Sequence, residues 1–156
     1  MNETFARHVE ALHPSYERLV AATPFTFGQL AQQVLPSRGV YLFSEGERHL
    51  YVGRSNDIRA RIRLHCRPGS TDNQASFAFL LTREVCGVPK ATYKPEGSRK
   101  QLLTQDAFAK CFVAQKERMR SMNIRAVEET DSSRQALLEM YVAISLSTPY
   151  NDFNNH

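Results

Sequence analysis

The sequence has few cysteines and no long apolar run, and both shortages exclude classes of protein. Its three cysteines, Cys66, Cys86 and Cys111, are odd in number, widely spaced and without a CxxC pair. This pattern argues against a disulfide framework and against a zinc ribbon, and it favours a reducing compartment. No segment approaches the roughly 18 apolar residues that a membrane span needs, and no basic start with an apolar h-region opens the chain. We therefore expect a cytoplasmic protein without a membrane-spanning segment.

What the sequence does contain is enough apolar material for one core. The chain has 156 residues, of which 42% are hydrophobic, and this predicts a single domain over residues 1–156. Its formal net charge is +4. An excess of positive charge is typical of proteins that bind a polyanion, and nucleic acid is one such partner.

The spacing of apolar residues predicts both helices and strands. Residues 1–37 indicate a helical N-terminal extension, with helices over 3–12 and 26–35 that are separated by prolines, the first of them Pro14. The elements expected after it are, in chain order, two strands (39–44, 48–53), two helices (57–66, 75–85), a loop (87–100), a helix (105–121), a strand (124–129) and a helix (132–146). The predicted fold class is α/β in the broad sense, and α+β more narrowly, because the first two strands form an antiparallel hairpin.

The hairpin contains two tyrosines at symmetric positions. Gly46 lies midway between Tyr41 and Tyr51 in the stretch GVYLFSEGERHLYVG. A ladder centred on this glycine would pair the two tyrosines directly and place them on one face of the sheet. Such a pair can belong to a functional site, but it is also ordinary cross-strand aromatic packing. The hairpin alone leaves both interpretations open.

The helix after the hairpin carries polar groups on its buried stripe. With Ile58 at the centre of the stripe, Arg61, Ile62 and His65 follow at i+3, i+4 and i+7. A guanidinium that faces a sheet needs an anionic partner, either a protein carboxylate or a bound phosphate.

The last predicted helix places a carboxylate between small residues. Glu139 has alanines at i−3 and i+4, nearly opposite an apolar stripe that consists of Leu137, Met140, Tyr141 and Ile144. A buried carboxylate must bind a cation or pair with an arginine. Glu139 is therefore either a metal ligand or the partner of Arg61.

These residues together resemble the signature of the GIY-YIG nuclease superfamily. The tripeptides GVY and YVG are followed by a helix with an arginine and then a histidine, and LLEMYVAISLSTPYN supplies a helical glutamate and a terminal asparagine. Valine replaces isoleucine in both tripeptides, which keeps the β-branched shape. The resemblance covers residues 38–68 and 134–151, and its matching positions are Tyr41, Tyr51, Gly53, Arg61, His65, Glu139 and Asn151.

The resemblance implies a three-stranded antiparallel sheet flanked by helices, and cleavage of phosphodiester bonds in DNA with one divalent metal ion, Mg²⁺ or Mn²⁺. Tyr41 would be the general base, its phenolate favoured by Arg61, and Tyr51 would position water or phosphate, although the two tyrosines could exchange roles. Residues 66–133 form a middle region that is longer than in the minimal module, and substrate preference is expected to reside there.

The resemblance also gives roles to the remaining polar residues. Arg61 would hold the scissile phosphate, and His65 would bond to a phosphate oxygen or to Tyr41. Glu139 would be the metal ligand, and Asn151 would orient Glu139 or a phosphate.

Basic residues are concentrated around and after these positions, as suits contacts to backbone phosphates. The residues that we expect to bind DNA are Arg54, Arg59, Arg63, Lys90, Lys94, Arg99 and Lys100. The leading hypothesis is a metal-dependent DNA endonuclease, such as a stand-alone restriction-type or repair enzyme. The alternatives are a non-catalytic nucleic-acid-binding module with the same fold, and a structural domain in which Arg61 pairs with Glu139.

Overall fold

The computed structural model describes residues 1–88 and 97–153. In chain order its elements are α1 (Glu3–Glu10), α2 (Leu12–Ala21), a 3-10 helix (Phe27–Gln32), β1 (Gly39–Glu45), β2 (Arg48–Ser55), α3 (Ile58–Cys66), α4 (Ser76–Val85), α5 (Arg99–Thr104), α6 (Asp106–Arg120), β3 (Asn123–Glu128) and α7 (Ser132–Leu146). The strands form one antiparallel sheet in the order β2-β1-β3 with helices around it, so the predicted α+β class is confirmed. Within these two ranges, no helix combines the length and the apolar character needed to cross a bilayer.

The chain divides into two compact units. The first unit comprises Met1–Arg61 and Met122–His156 and contains the sheet, and the second comprises Ile62–Ser121 and contains α4, α5 and α6. The sequence predicted an enlarged middle region over 66–133. The second unit ends earlier than that region, and β3 belongs to the first unit.

One hydrophobic cluster of the first unit lies on one face of the sheet. β1 is the central strand and is buried from Gly39 to Ser44. Its even-numbered residues face α2 and α7, in a core whose members are Leu12, Leu19, Val40, Leu42, Val52, Val127, Leu138, Val142 and Ala143. Because successive residues of a strand alternate between faces, Tyr41 and Phe43 lie on the opposite face.

The turn of the hairpin contains two residues rather than being centred on Gly46. Glu45 pairs with Arg48, and Gly46 adopts a φ of 62°, a conformation that glycine enters without a Cβ penalty. A regular ladder built from this turn would place Tyr41 and Tyr51 on opposite faces of the sheet, because the number of residues between them would have the wrong parity.

A β-bulge at Leu50 restores the parity. Phe43 pairs with Tyr51, but the next pair toward the turn skips Leu50, so β2 contains one extra residue. Beyond the bulge Tyr41 pairs with Gly53. The predicted direct pair of tyrosines is therefore wrong, whereas their common face is correct, because Tyr51 lies opposite Phe43 and Phe43 shares its face with Tyr41.

The glycines of the two tripeptides permit close approaches between strands. A Cβ on Gly53 would lie 2.3 Å from the hydroxyl oxygen of Tyr41, so the tyrosine ring covers this glycine. A Cβ on Gly39 would lie 1.9 Å from the backbone oxygen of Val127. Neither position has room for a side chain, which gives both glycines of the signature a packing reason.

Three helical predictions need correction. Pro14 does not separate helices but lies in the first turn of α2, where its missing N–H has no partner to lose. The predicted helix over 26–35 is a 3-10 helix over Phe27–Gln32. The end of the predicted loop over 87–100 begins α5, which Ser98 caps by accepting a hydrogen bond from the Gln101 N–H at 3.2 Å.

α7 buries a different face from the predicted one. Its buried residues include Leu138 and Val142, whereas Met140 and Ile144 of the predicted stripe are 44% and 68% exposed. The face toward the core is therefore centred on Leu138. Glu139 follows directly and lies at the margin of this face.

The segment after α7 covers the outer edge of β2. The Tyr150 N–H donates to the Leu50 carbonyl at 3.2 Å. Asn151 accepts from the Val52 N–H through Oδ1 at 2.9 Å and donates to the Val52 carbonyl through Nδ2 at 2.8 Å. The asparagine amide thus pairs with this edge as a strand residue would.

Candidate active site

Side chains from four elements of the first unit, and from the loop before α3, meet at one polar pocket. β1, β2, α3 and α7 contribute the predicted residues Tyr41, Tyr51, Arg61 and Glu139, respectively. The pocket has a volume of about 410 Å³ and is lined by Tyr41, Tyr51, Arg54, Ser55, Asn56, Arg61, Gln135 and Glu139. Four of the six predicted catalytic residues therefore converge, and all the lining residues belong to the first unit.

Tyr41 is buried in the wall of this pocket, and burial raises the pKa of its phenol well above the ordinary value. Tyr51 raises the pKa of Tyr41 further, because two phenolates would repel each other. Arg61 opposes both effects through its positive charge and a hydrogen bond to Tyr41. Arg61 lowers the pKa of Tyr41, as predicted, but the increase caused by desolvation is larger.

Glu139 pairs with Arg54 of β2, an ion pair that the sequence did not predict. The Nε of Arg54 donates to Oε2 of Glu139 at 3.2 Å, and the Glu139 side chain is only 22% exposed. Burial raises the pKa of the Glu139 carboxyl, and Arg54 partly offsets this by favouring the charged form. Arg54, predicted as a DNA contact, is thus the cation that accompanies the carboxylate.

Arg61 is positioned by the start of α3. Asp57 precedes the helix, and its Oδ1 accepts a hydrogen bond from the Ala60 N–H at 3.0 Å. Ile58 is fully buried, as the predicted stripe requires. One turn after Ile58, Arg61 reaches the pocket and contacts Tyr41.

Three amide and hydroxyl residues of the pocket were missed by the sequence reasoning. Ser55 and Asn56 lie between the YVG tripeptide and α3, and Gln135 lies one helical turn before Glu139 on α7. Gln135 is 2% exposed and donates through Nε2 to the Glu129 carbonyl at 2.7 Å. For Gln135 a usable signal was its position at i−4 from Glu139, since helical residues one turn apart share a face.

Asn151 does not reach the carboxylate that it was predicted to orient. Its Oδ1 is occupied by the Val52 N–H and by the Thr148 hydroxyl at 2.7 Å, and its Nδ2 by the Val52 carbonyl. The Asn151 amide thus bonds to the backbone of β2 rather than to Glu139, and its other predicted role, to orient a phosphate, stays a prediction. Asn151 holds the strand next to Tyr51.

His65 lies one turn after Arg61 in α3 and belongs to the second unit. Its side chain is fully buried, in agreement with the stripe that predicted it. Its contact with a phosphate oxygen or with Tyr41 stays a prediction.

Among the described residues of the predicted DNA-binding set, Arg54, Arg63 and Lys100 are exposed, and Arg54 is already paired with Glu139. Arg99 is partly buried in the second unit, 3.9 Å from Asp72 and with its guanidinium carbon 5.0 Å from the ring centroid of Phe79. Lys90 and Lys94 fall outside the described residues.

Arg59 has a structural role that competes with a DNA contact. Its guanidinium donates to the backbone carbonyls of Leu30 and Gln33, at the end of the 3-10 helix. The Leu30 carbonyl also accepts from the Gln33 N–H at 3.2 Å, so the guanidinium adds a second donor at the end of this helix. Arg59 therefore holds the N-terminal segment to α3.

The pocket offers one carboxylate to a divalent ion and, within the described residues, does not form a closed metal centre. In the part of the chain that the structure describes, no group of three or more His, Cys, Asp or Glu side chains is placed to hold a metal. Glu139 is the carboxylate among the lining residues. Mg²⁺ keeps several waters and is often bound by one or two carboxylates together with substrate phosphates, so one half-buried carboxylate is a sufficient protein ligand set.

Comparison of the chain with protein-family models, curated proteins and solved structures finds no match. The class of the protein is therefore argued from its fold and from the pocket. The relevant features are an antiparallel hairpin with a tyrosine on each strand, a helix that supplies an arginine, and a later helix that supplies a carboxylate.

Proposed function

We propose that the protein is a DNA endonuclease of the GIY-YIG type that hydrolyses phosphodiester bonds with one divalent metal ion, Mg²⁺ or Mn²⁺. The observation that supports this proposal is the convergence of Tyr41, Tyr51, Arg61 and Glu139 on one polar pocket. These residues come from distant parts of the sequence, and they carry the groups that phosphodiester hydrolysis requires: a base, a cation for the phosphate and a ligand for a metal.

Arg61 is the residue best placed to bind the scissile phosphate. Its guanidinium lines the pocket and already donates to the oxygen of Tyr41. A fixed guanidinium can also offset the charge that grows on the phosphoryl oxygens during attack by water. Its contact with Tyr41 places the phosphate next to a group that can accept a proton.

The proton of the attacking water goes to one of the two tyrosines. Tyr41 keeps its proton at neutral pH, because burial and Tyr51 raise its pKa, and only its phenolate can act as a base. Repulsion between the two phenolates disfavours a second negative charge in the pocket. The rate of cleavage is therefore expected to increase with pH above neutrality.

Glu139 would hold the metal ion. When bound there, the ion would act as a Lewis acid on the departing 3′ oxygen. Arg54 neutralises the carboxylate in the absence of DNA, and its guanidinium can transfer to a phosphate when DNA arrives. This movement of Arg54 would free Glu139 to bind the metal ion when the substrate supplies the other oxygen ligands.

The proposal is tested by nicking of supercoiled plasmid with and without Mg²⁺. Arg61→Ala is expected to reduce the rate by about 10²- to 10³-fold, the usual loss for one well-placed donor. Tyr41→Phe and Glu139→Gln should each abolish metal-stimulated nicking. Glu117→Gln, at a side chain that is 72% exposed in the second unit, is the matched control and should leave the rate unchanged.

Full activity of Glu139→Gln would refute the metal assignment. The alternative function, a non-catalytic nucleic-acid-binding module, is favoured by the ion pair of Arg54 with Glu139, since that pair already satisfies the carboxylate. Binding of DNA by the parent protein without metal-stimulated cleavage would support this alternative.

A further inference from the structure

We propose that Asn56 binds a phosphate oxygen of the substrate, and that Arg38 and Gln135 are positioning residues that aim its amide N–H groups into the pocket. The inference rests on the proposed function, since it identifies a further contact to the same DNA backbone. Asn56 lies outside the positions that match the family signature. The evidence for the proposal is the set of hydrogen bonds around the Asn56 side chain, because these bonds determine which end of the amide is the oxygen.

The orientation of the amide follows from groups that can only donate or only accept. Nε2 of Gln135 lies 2.7 Å from the Glu129 carbonyl, so this end of Gln135 must be the nitrogen. The same nitrogen lies 3.2 Å from the Asn56 side chain, which must present its oxygen there. Arg38 has only donors, and its Nε lies 3.1 Å from the same oxygen.

The amide nitrogen of Asn56 is therefore the end that remains for a ligand. Oδ1 accepts from both Arg38 and Gln135, so the two N–H groups of Nδ2 point away from these residues. Within residues 1–88 and 97–153, the hydrogen bonds of the Asn56 side chain are those of its oxygen. Asn56 is exposed and lines the pocket together with Arg61, so its donors meet whatever the pocket binds.

A phosphate oxygen is the acceptor that suits this position. Arg61 and Arg54 line the same pocket and favour an anion, and a DNA backbone offers two unesterified oxygens on each phosphate. A neutral amide can bind one of these oxygens without adding repulsion toward a metal ion. The positive charge of Arg38 behind the oxygen polarises the amide and strengthens its N–H groups as donors.

Both supports are themselves held in place. Gln135 is 2% exposed and anchored to the backbone carbonyl of Glu129. Nη2 of Arg38 donates to the Ser132 hydroxyl at 3.4 Å. The donors of Asn56 are thus oriented before substrate binds, which lowers the cost of ordering them.

The substitution Asn56→Asp separates the two functions of the side chain. Aspartate keeps an oxygen for Arg38 and Gln135, but it replaces the two donors on the pocket side with an acceptor. We expect the melting temperature to stay close to that of the parent. We expect the dissociation constant for a fluorescent DNA duplex to rise about 10- to 100-fold, as for the loss of a hydrogen bond to a charged group.

The affinity is measured by anisotropy in EDTA on the Glu139→Gln background, so that cleavage and metal binding do not enter. Asn2→Asp is the matched control, because it adds the same charge at the N-cap of α1, where aspartate caps as well as asparagine. Gln135→Met leaves Asn56 intact but frees its amide to rotate, and should weaken binding by a smaller factor.

Parent-like affinity of Asn56→Asp, or equal weakening by Asn2→Asp, would overturn the proposal. Parent-like affinity of Gln135→Met would overturn the positioning role. Failure of the parent to cut plasmid, with Asn56→Asp still selectively impaired in binding, would refute the nuclease but not the Asn56 contact. Cleavage by the parent with unchanged affinity of Asn56→Asp would refute only the contact.

Discussion

Gly53 sets the position of the buried tyrosine of the site. It pairs with Tyr41 across the hairpin, and the tyrosine ring occupies the space that a side chain would need. The glycine therefore supports the Tyr41 ring in the pocket wall even though it has no functional group. The sequence motif identifies Gly53, and its contact with the Tyr41 ring explains why a glycine is needed there.

Gly53→Ala should displace the Tyr41 ring, because a Cβ at this position would lie 2.3 Å from the tyrosine oxygen. We expect the free energy of unfolding to fall by about 1–3 kcal/mol, the usual cost of overpacking, and nicking activity to be lost with it. Urea unfolding and plasmid nicking measure the two effects. Gly69→Ala is the control, since a Cβ there meets nothing within 4 Å and should change neither quantity.

Glu139 should reduce stability at neutral pH, because burial raises its pKa. A carboxyl with a raised pKa holds its proton more tightly in the folded protein, so stability falls as pH rises from the unfolded pKa through the folded one. Glu139→Gln removes this dependence and keeps an oxygen for Arg54. We expect the variant to gain stability relative to the parent between pH 4 and pH 7.

Thermal unfolding across this pH range measures the difference. Glu117→Gln, at an exposed position, should follow the parent at every pH. A loss of more than about 1 kcal/mol in Glu139→Gln at pH 7 would contradict the expectation and would mean that the ion pair outweighs desolvation.

At the scale of elements, sequence patterns predict strands and most helices well, because alternation and helical spacing are local properties. The hairpin strands, α3, α4, α6, β3 and α7 lie close to their predicted bounds. The bulge at Leu50 was not predictable, since it depends on the turn length and on the partner strand. The buried face of α7 was misassigned because some apolar residues of this helix, such as Met140 and Ile144, are exposed.

The same distinction between local patterns and long-range contacts explains which site residues were predicted. Tyr41, Tyr51, Arg61 and Glu139 were predicted because spacing and the family signature both identify them. The pairing of Glu139 with Arg54 was not, since it joins β2 to α7. The bonds of Asn151 to Val52 were not predicted either, because backbone partners leave no trace in a residue pattern.

Lys116 stabilises the connection between α3 and α4 within the second unit. It is 1% exposed, and its Nζ donates to the carbonyls of Pro68 at 2.8 Å and Ser70 at 2.6 Å. The same nitrogen lies 3.9 Å from the ring centroid of Phe112. One lysine thus satisfies two carbonyls of a turn that has no regular structure.

Lys116→Met should reduce the free energy of unfolding by about 1–3 kcal/mol, because it removes the lysine donor from the carbonyls of Pro68 and of the buried Ser70. Urea unfolding measures the change. Lys110→Met on the same helix is the control, since Lys110 is 78% exposed and its i,i+4 pair with Asp106 is worth at most about 0.5 kcal/mol. Equal effects of the two substitutions would refute the role of the buried lysine.

At the scale of the whole molecule, the net charge of +4 should make DNA binding depend strongly on salt. The arginines do not all contribute alike. Arg63 is exposed, whereas Arg59 donates to the Leu30 and Gln33 carbonyls. A count of basic residues therefore overstates the number of groups that can release counterions.

Arg63→Gln should reduce the slope of log K against log salt by about 1, as for the loss of one phosphate contact. Arg59→Gln should leave the slope nearly unchanged and lower the melting temperature instead. Anisotropy titrations over a series of KCl concentrations, with thermal unfolding of both variants, measure the difference. A larger change of slope for Arg59→Gln would assign the DNA contact to that residue.

Because of the bulge, the position of Tyr51 in the hairpin depends on the segment after α7. If Leu50 re-paired with Phe43 in an unbulged ladder, β2 would slide by one residue and Tyr51 would leave the pocket face. Three hydrogen bonds join Tyr150 and Asn151 to Leu50 and Val52, and they oppose this slippage. A protein truncated before residue 148 would keep every proposed catalytic side chain and still lose the alignment of its tyrosines.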